Sequence, residues 1–445
     1  MKYRFLYVLA LCVVLLSGNA TAGFLNAEEF YLNNGMQVIV VPNHRTPIVK
    51  HMVWYRTGAA DEVAGKGGSA HLLEHLMFRG TKKVPGNELN NLLEVNGASS
   101  NAFTGQDMTT YHQLLDVSRL ELAMFLEADR MTNLHISDED FATERDIVFQ
   151  ERKERIDNDP MGYFREAVNR ALWQTHPYAK PVIGIDEEIK LLEKDDVWEY
   201  YKAKYNPSNA ILVMSGDIDV DTAKKLAQKY YGNIEVNGIK NEKKFADLSE
   251  GSKVVVDMKS SHIKGFRVLK NWAAPSFATN KEDVYNLYVL AEYMGGGKTA
   301  KLYKKLVEEK KKALDVAVKY NPIARSYGVF AISVVPADDV RPEEILQELE
   351  KSWTEALEEL SIDELEKTKQ KMLAGLIYWR DNPEDAAYMV GAMAVAGVSL
   401  QEIEQQDAKI KAVRYKEVKK AAEKLWNDAP QVIGILRPKG DDDNA

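Results

Sequence analysis

Cysteine is almost absent from this sequence of 445 residues. The single cysteine, Cys12, lies in an apolar run near the amino terminus. If that run is removed during export, the remaining chain has no thiol, and disulfide bonds are excluded even in an oxidising compartment. The sequence also lacks a long apolar run, because the one from Phe5 to Leu16 is shorter than the roughly 20 residues that a membrane-spanning helix needs.

The amino terminus has the pattern of an export signal. Two cations, Lys2 and Arg4, precede the apolar run, and the small residues Ala20-Thr21-Ala22 follow it. This order predicts a signal peptide over residues 1–22 and a mature chain that begins at Gly23 in the periplasm, with no stable membrane insertion after cleavage. The alternative is that the segment is retained as an anchor.

The chain is also short of positive charge. It has 58 lysines and arginines against 67 aspartates and glutamates, which gives a formal net charge of −9, and loss of the two cations in the signal peptide would take it to −11. This balance argues against a nucleic-acid partner. It offers only a weak attraction for cationic peptides.

What the sequence does contain is a short group of metal-binding side chains, His71-Leu72-Leu73-Glu74-His75. The spacing His-x-x-Glu-His is the inverted form of a zinc-peptidase helix signature. Positions four apart on a helix stack one turn above the other, so His71 and His75 can offer two imidazoles to one metal. Glu74 lies on the same face and can take a proton from a water that the metal activates. The alternative is chance, because motifs this short also occur in helices that only pack or face solvent.

A catalytic zinc needs three protein ligands, so the motif by itself leaves the question open. A third ligand could come from the charged run over residues 138–155, which we predict to be a helix. Glu144 and Glu151 are seven positions apart in this run, which is two helical turns, and they therefore share a face. Most charged runs of this kind are solvated helices, so the run alone does not decide between the two interpretations.

Together the two motifs resemble the pitrilysin/insulinase family of zinc metallopeptidases, which includes the mitochondrial processing peptidases, in a short bacterial form. The shared pattern is His-x-x-Glu-His followed by Glu-x6-Glu, with the last glutamate 76 residues after the second histidine. The resemblance implies one Zn²⁺ per chain, held by His71, His75 and Glu151. It also implies that Glu74 is the catalytic base and acid, and that Glu144 supports catalysis from behind the metal ligands.

The stretch from Gly97 to Gly105 is rich in glycine, alanine, serine and asparagine. By composition alone it is an ordinary turn-rich loop. The resemblance implies instead that it is an edge strand, to which an extended peptide substrate adds as a further strand with its carbonyl at the zinc. The residues then expected to bind substrate are Ala98, Ser99, Asn101, Ala102 and Phe103.

The length of the chain exceeds what one hydrophobic core usually serves. Strands, glycines and helices follow in the second half in an order that echoes the first, although the second half has no His-x-x-Glu-His. We therefore expect an α+β fold of two homologous halves related by a pseudo-two-fold axis, each a mainly antiparallel β-sheet packed with α-helices on one side. The expected boundaries are 23–237 for the zinc-bearing catalytic domain, 238–251 for a linker, 252–440 for a C-terminal domain without metal, and 441–445 for an acidic tail.

The second half departs from the family pattern at one place. Family members usually carry an arginine and, seven residues later, a tyrosine, and both help to hold the substrate. The corresponding positions here are Val307 and Leu314, whose side chains cannot donate a hydrogen bond to a carbonyl oxygen. Since some bacterial relatives divide these features between two chains, we expect a heterodimer with a sister chain that carries the Arg/Tyr pair. A homodimer is the alternative.

The sequence thus predicts a zinc metalloendopeptidase that hydrolyses peptides or unfolded polypeptide segments with metal-activated water. The alternative from another class is a non-catalytic scaffold or peptide-binding subunit of the same fold. The intact Glu74 disfavours this alternative, because an inert relative has no need of the base. A metal hydrolase for non-peptide substrates is disfavoured by the strand-like run next to the motif.

Overall fold

The computed structural model describes residues 23–236, 245, 248 and 251–439. The predicted signal peptide at 1–22, nearly all of the predicted linker at 238–251 and the predicted tail at 441–445 lie outside the described residues. No helix in the described part of the chain is long and apolar enough to cross a membrane.

The first half contains a sheet of six strands. They are β1 (Glu28–Tyr31), β2 (Gln37–Pro42), β3 (Ile48–Tyr55), β4 (Ser99–Thr104), β5 (Thr109–Asp116) and β6 (Ala210–Gly216). Their order is β1-β2-β6-β3-β5-β4, and all neighbours are antiparallel except β2 and β6. Every residue of β6 is buried, as expected for an apolar strand in the middle of a sheet that is covered on both faces.

Eight α-helices accompany this sheet in the described residues. They are α1 (Ser69–Leu76), α2 (Glu88–Val95), α3 (Leu120–Asn133), α4 (Asp138–Arg152), α5 (Pro160–Trp173), α6 (Asp186–Leu191), α7 (Lys194–Lys204) and α8 (Val220–Tyr230). The α-helix predicted over 138–155 ends three residues early, and a π-helical turn, Lys153–Asp157, follows it. Arg152 and Lys153 form ion pairs with Asp186 on α6 there, which holds the altered turn in place.

The second half repeats the arrangement. Its strands are β7 (Lys253–Ser260), β8 (Arg267–Ala274), β9 (Ala313–Asn321), β10 (Gly328–Pro336) and β11 (Gln431–Pro438). Their order is β7-β11-β8-β10-β9, and only β7 and β11 are parallel. Strand for strand, this matches β2-β6-β3-β5-β4 in position and direction, which confirms the expectation of two related halves.

The helices of the second half complete the description. They are α9 (Lys281–Gly295), α10 (Lys301–Tyr303), α11 (Pro342–Glu359), α12 (Ile362–Asp381), α13 (Pro383–Val395), α14 (Leu400–Glu404), α15 (Gln406–Ala412) and α16 (Tyr415–Asp428). A π-helical turn, Lys304–Glu309, continues α10.

The two halves exchange one helix each. Helix α13 of the second half packs on β3 and β6 of the first sheet, and α5 of the first half packs on β7 and β11 of the second. The contacts are close: a Cβ on Gly391 of α13 would lie 2.2 Å from Nε1 of Trp54, and one on Gly434 of β11 would lie 2.5 Å from Val168 of α5. We expected helices on only one side of each sheet. This is true of the helices from the same half, but each sheet is also covered by a helix from the other half.

A buried ion pair also joins the halves. Arg325, in the turn between β9 and β10, reaches Asp61 (Nη2 to Oδ2, 2.6 Å) and Asp107 (Nε to Oδ1, 3.1 Å) in the first half. Asp107 accepts a further hydrogen bond from the hydroxyl of Tyr178 (2.5 Å). His176 makes a hydrogen bond with Ser326 (3.0 Å) at the same boundary.

Candidate metal centre

Helix α1 starts at a constrained point. Gly68, directly before it, has φ of 91°, a left-handed conformation that favours glycine. The carboxylate of Glu62 accepts hydrogen bonds from the N–H groups of Gly68 (3.0 Å) and Ala70 (2.9 Å). It thereby satisfies donors of the first helical turn, which have no partner inside the helix. Burial raises the pKa of Glu62 to about 8.

The apolar side of α1 orients the two histidines. Leu72, Leu73 and Leu76 are completely buried in the core of the first half. His71 and His75 lie on the other side of the helix and are partly exposed, with their ring centroids 4.8 Å apart. Burial of the leucines therefore leaves both imidazoles facing the same space.

Glu151, near the end of α4, faces these imidazoles. Its Oε2 lies 3.8 Å from Nε2 of His71 and 3.4 Å from Nε2 of His75. The ligand atoms of a tetrahedral zinc stand about 3.3–3.6 Å apart, because zinc–nitrogen and zinc–oxygen bonds are about 2.0–2.2 Å long. The observed separations are close to this range, and the ligand atoms of all three residues lie within 4.8 Å of one another, so the two imidazoles and the carboxylate would together hold a zinc ion. Among the described residues, no other group of three histidine or acidic side chains comes together in this way.

Glu144 lies behind His75, two turns before Glu151 on α4. Its Oε2 is 2.9 Å from Nδ1 of His75, and its Oε1 accepts a hydrogen bond from Nε of Arg79. A carboxylate on Nδ1 fixes the tautomer so that Nε2 is the free ligand atom. Arg79 was not among the predicted site residues. It lies in the turn beyond the end of α1, so helical spacing does not relate it to His75.

The charges of the site favour a cation between its carboxylates. Burial acts to lower the pKa of His75, but its hydrogen bonds to Glu144 and Glu151 raise this pKa to about 9. Burial and the charge of His75 lower the pKa of His71 to about 4. The hydrogen bond from His75 also lowers the pKa of Glu151, which is therefore ionised at neutral pH. Arg155 balances this carboxylate from the solvent side, with Nη1 2.6 Å from Oε1 of Glu151.

Glu74 lies beside the three proposed ligands and is bound to the edge of the sheet. Oγ1 of Thr104, the last residue of β4, donates a hydrogen bond to Oε2 of Glu74. Burial raises the pKa of Glu74, although this hydrogen bond acts to lower it. A carboxylate whose pKa is raised towards neutrality is a more effective general base. Thr104 was not predicted as a site residue, since nothing in the local sequence relates it to α1.

The run that could have been a loop is a strand. Residues 99–104 form β4 at the edge of the first sheet, and Ala98 directly precedes it. Ala102 packs on the core beneath α1, whereas Phe103 packs on the opposite face, against α13. The side chain of Asn101 accepts a hydrogen bond from the N–H of Ala102 (2.8 Å). Substrate binding by Ala98, Ser99, Asn101, Ala102 and Phe103 stays a prediction.

The positions that depart from the family pattern lie in the second half. Val307 is in the π-helical turn 304–309 and packs against the core of that half. Leu314 is near the start of β9 and 57% exposed.

Comparison with known proteins defines the class. Residues 37–186 match the family model described as insulinase (peptidase family M16), and residues 192–372 match the model described as the peptidase M16 inactive domain. The chain therefore belongs to peptidase family M16, which is the pitrilysin/insulinase family expected from the two motifs.

The similarity to particular relatives extends over almost the whole chain. It is 26% identical to the zinc protease PqqE of Helicobacter pylori over 418 residues, which cover 92% of this chain and 93% of that protein. It has the fold of a crystallised protease from Helicobacter pylori, with a TM-score of 0.85 and 24% identity over 93% of this chain and 99% of the other. It also matches the periplasmic protease PqqL of Escherichia coli, with a TM-score of 0.79 and 17% identity, over 92% of this chain but 47% of PqqL.

We predict that replacing Glu144 with glutamine weakens zinc binding by about 10–100-fold, the usual cost of losing a hydrogen-bond partner of a metal-bound histidine. The substitution removes the negative charge of the carboxylate that contacts Nδ1 of His75. It also leaves Arg79 without its ion pair. Competition with a chromophoric chelator measures the Kd. Glu139→Gln, which changes an exposed glutamate in the first turn of the same helix, is the matched control. Equal affinity in the two variants would show that Glu144 does not support the metal.

Proposed function

We propose that this chain is the zinc-bearing subunit of a periplasmic metalloendopeptidase that cleaves peptides or unfolded polypeptide segments. The observation that carries the proposal is the convergence of His71, His75 and Glu151 on one point, with Glu74 beside it. These three side chains would hold one Zn²⁺ per chain. When bound, zinc lowers the pKa of water towards neutrality and polarises the carbonyl of the scissile bond.

The roles of the protein side chains follow from their places. Glu74 takes the proton from the attacking water and later gives it to the leaving amine, and the hydroxyl of Thr104 holds the carboxylate in position. Glu144 keeps His75 in the tautomer that ligates through Nε2. The free edge of β4 accepts an extended peptide as an added strand, which brings a peptide carbonyl next to Glu74.

We also propose that the active enzyme contains a second chain. Neither Val307 nor Leu314 can stabilise a developing oxyanion, so donors must come from elsewhere. This chain matches 47% of the length of PqqL, so PqqL has room for two units of this size. This supports an arrangement of two such units in the active enzyme. The preferred partner is a sister chain with the Arg/Tyr pair, and a second copy of this chain is the alternative. The export pattern at residues 1–22 and the similarity to the periplasmic protease PqqL support the proposed compartment. The proposed domains are 23–237 and 252–440.

The proposal is tested with purified full-length chain and extended fluorogenic peptides. We expect about one zinc per chain, loss of cleavage after chelation, and recovery when zinc is added back. Activity should rise strongly when the sister chain is added. Full turnover by the chain alone as a monomer would contradict the two-chain arrangement. A zinc-loaded chain that binds peptides with its partner but never cleaves them would favour the non-catalytic subunit.

A further inference from the structure

The face of β4 that points away from Glu74 carries a cluster of three aromatic rings. The rings of Trp54 and Phe103 are 5.5 Å apart between centroids, those of Phe103 and Tyr388 are 5.6 Å apart, and those of Trp54 and Tyr388 are 5.6 Å apart. Trp54 and Phe103 belong to the first sheet, whereas Tyr388 belongs to α13 of the second half. The two halves therefore build this cluster together.

The cluster is open to solvent on the side of the edge strand. Trp54 is completely buried beneath α13, but Tyr388 is 48% exposed and Phe103 is partly exposed. Helix α13 packs mainly on β3 and β6, and at the edge strand β4 its Tyr388 contacts Phe103. An aromatic surface is thus left next to the free edge of the sheet.

Polar residues and one ion pair border this surface, and the exposed carboxylate of Asp385 lies one turn before Tyr388 on α13. Asn101 and, opposite it on β5, His112 lie on the same face as Phe103. Burial and the charge of Lys50 lower the pKa of His112 to about 4, so the imidazole is neutral at pH 7. Lys50 itself is paired with Glu384 (2.7 Å). An uncharged side chain of a ligand could therefore lie on the rings of Phe103 and His112 without burying the charge of His112 or Lys50.

An added strand would place side chains on this surface at a fixed interval. Side chains of a β-strand alternate between the two faces, and directly opposed residues of neighbouring strands have Cβ atoms about 4.5–5.5 Å apart. A peptide on β4 would direct alternate side chains towards α1 and Glu74, and the others towards Phe103. The residue opposite Phe103 would then meet the ring of Tyr388 as well.

We propose that Phe103 and Tyr388 form a side-chain subsite that selects peptides with a bulky apolar, above all aromatic, residue on the face opposite the metal. This inference rests on the proposed function, since it assumes that peptides bind along β4. It makes Tyr388 a specificity-determining residue that the second half contributes to a site in the first. Aromatic rings prefer the edge-to-face and offset contacts that an open cluster of this kind offers.

The test compares peptides that carry phenylalanine or alanine at each position in turn, with the full chain and its partner subunit. We expect the wild-type protein to prefer phenylalanine at one position by about 10–100-fold in kcat/KM, the range expected for full burial of an apolar side chain. Tyr388→Phe should keep this preference, because it keeps the ring. Tyr388→Ala should reduce it to less than about threefold. Tyr378→Ala, at a tyrosine that is 76% exposed on α12, is the matched control and should behave as the wild type.

The outcomes separate this inference from the proposed function. If Tyr388→Ala keeps the preference, or if the wild type cleaves peptides without one, the subsite is wrong while the peptidase proposal stands. If the wild type cleaves nothing, binding of the same labelled peptides is measured: a phenylalanine preference that Tyr388→Ala removes supports the subsite, and its absence overturns it. Thermal melting of each variant identifies folding defects. If Tyr388→Ala does not fold, Tyr388→Leu, which has no aromatic ring, takes its place and should lower the preference for phenylalanine, and an unchanged preference in that variant would overturn the subsite.

Discussion

Replacing Glu74 with glutamine is expected to leave the zinc content unchanged and to reduce peptide cleavage by about 10²–10⁴-fold, the usual contribution of a general acid–base residue. Glutamine has nearly the same shape and still accepts the hydrogen bond from Thr104, so the helix and the three proposed ligands should stay in place. It cannot take a proton from water at neutral pH. The change therefore separates metal binding from proton transfer.

The measurement needs both quantities on the same preparation. Zinc is determined by elemental analysis, and cleavage is followed with a fluorogenic peptide under single-turnover conditions. Glu88→Gln, at an exposed glutamate on α2, is the control for the loss of one negative charge and should keep full activity. Cleavage that persists in the zinc-loaded Glu74→Gln protein would remove Glu74 from the mechanism and would reopen the scaffold interpretation.

The second large effect is expected at the boundary between the halves. Replacing Arg325 with alanine should lower the free energy of unfolding by about 3–5 kcal/mol, the range seen when one partner of a buried ion pair is removed. The guanidinium pairs with Asp61, whose side chain is fully buried, and with Asp107. Without Arg325 both carboxylates would remain in a largely apolar boundary with no cation to balance them.

Chemical denaturation followed by tryptophan fluorescence measures this effect as a shift of the unfolding midpoint. Arg170→Ala removes an exposed arginine from α5, the helix that packs on the second sheet, and is expected to change stability by less than about 0.5 kcal/mol. If the two variants have the same midpoint, the buried ion pair does not stabilise the contact between the halves. The alternative would be that the exchanged helices alone provide the stability.

The features predicted correctly from the sequence are those that depend on local periodicity. His71, Glu74 and His75 share one face of α1 because a helix repeats about every 3.6 residues, and Glu144 and Glu151 share one face of α4 for the same reason. The repeated order of strands and helices likewise indicated two related halves before any contact was known. The edge-strand interpretation of residues 98–104 came from family resemblance, because the composition alone favoured a loop.

The remaining features join residues far apart in the chain, and no local pattern specifies them. Thr104 meets Glu74 only because β4 pairs with β5 at the edge of the sheet. Tyr388 meets Phe103 because α13 of the second half packs on the first sheet, and Arg325 meets Asp61 because the turn between β9 and β10 lies against the first half. The sequence by itself therefore determined which side chains are candidates for binding a metal. The tertiary structure decided which of them come together and what surrounds them. Contacts of this kind arise from strand pairing and from the packing of one half on the other, and the period of a single helix or strand does not specify them.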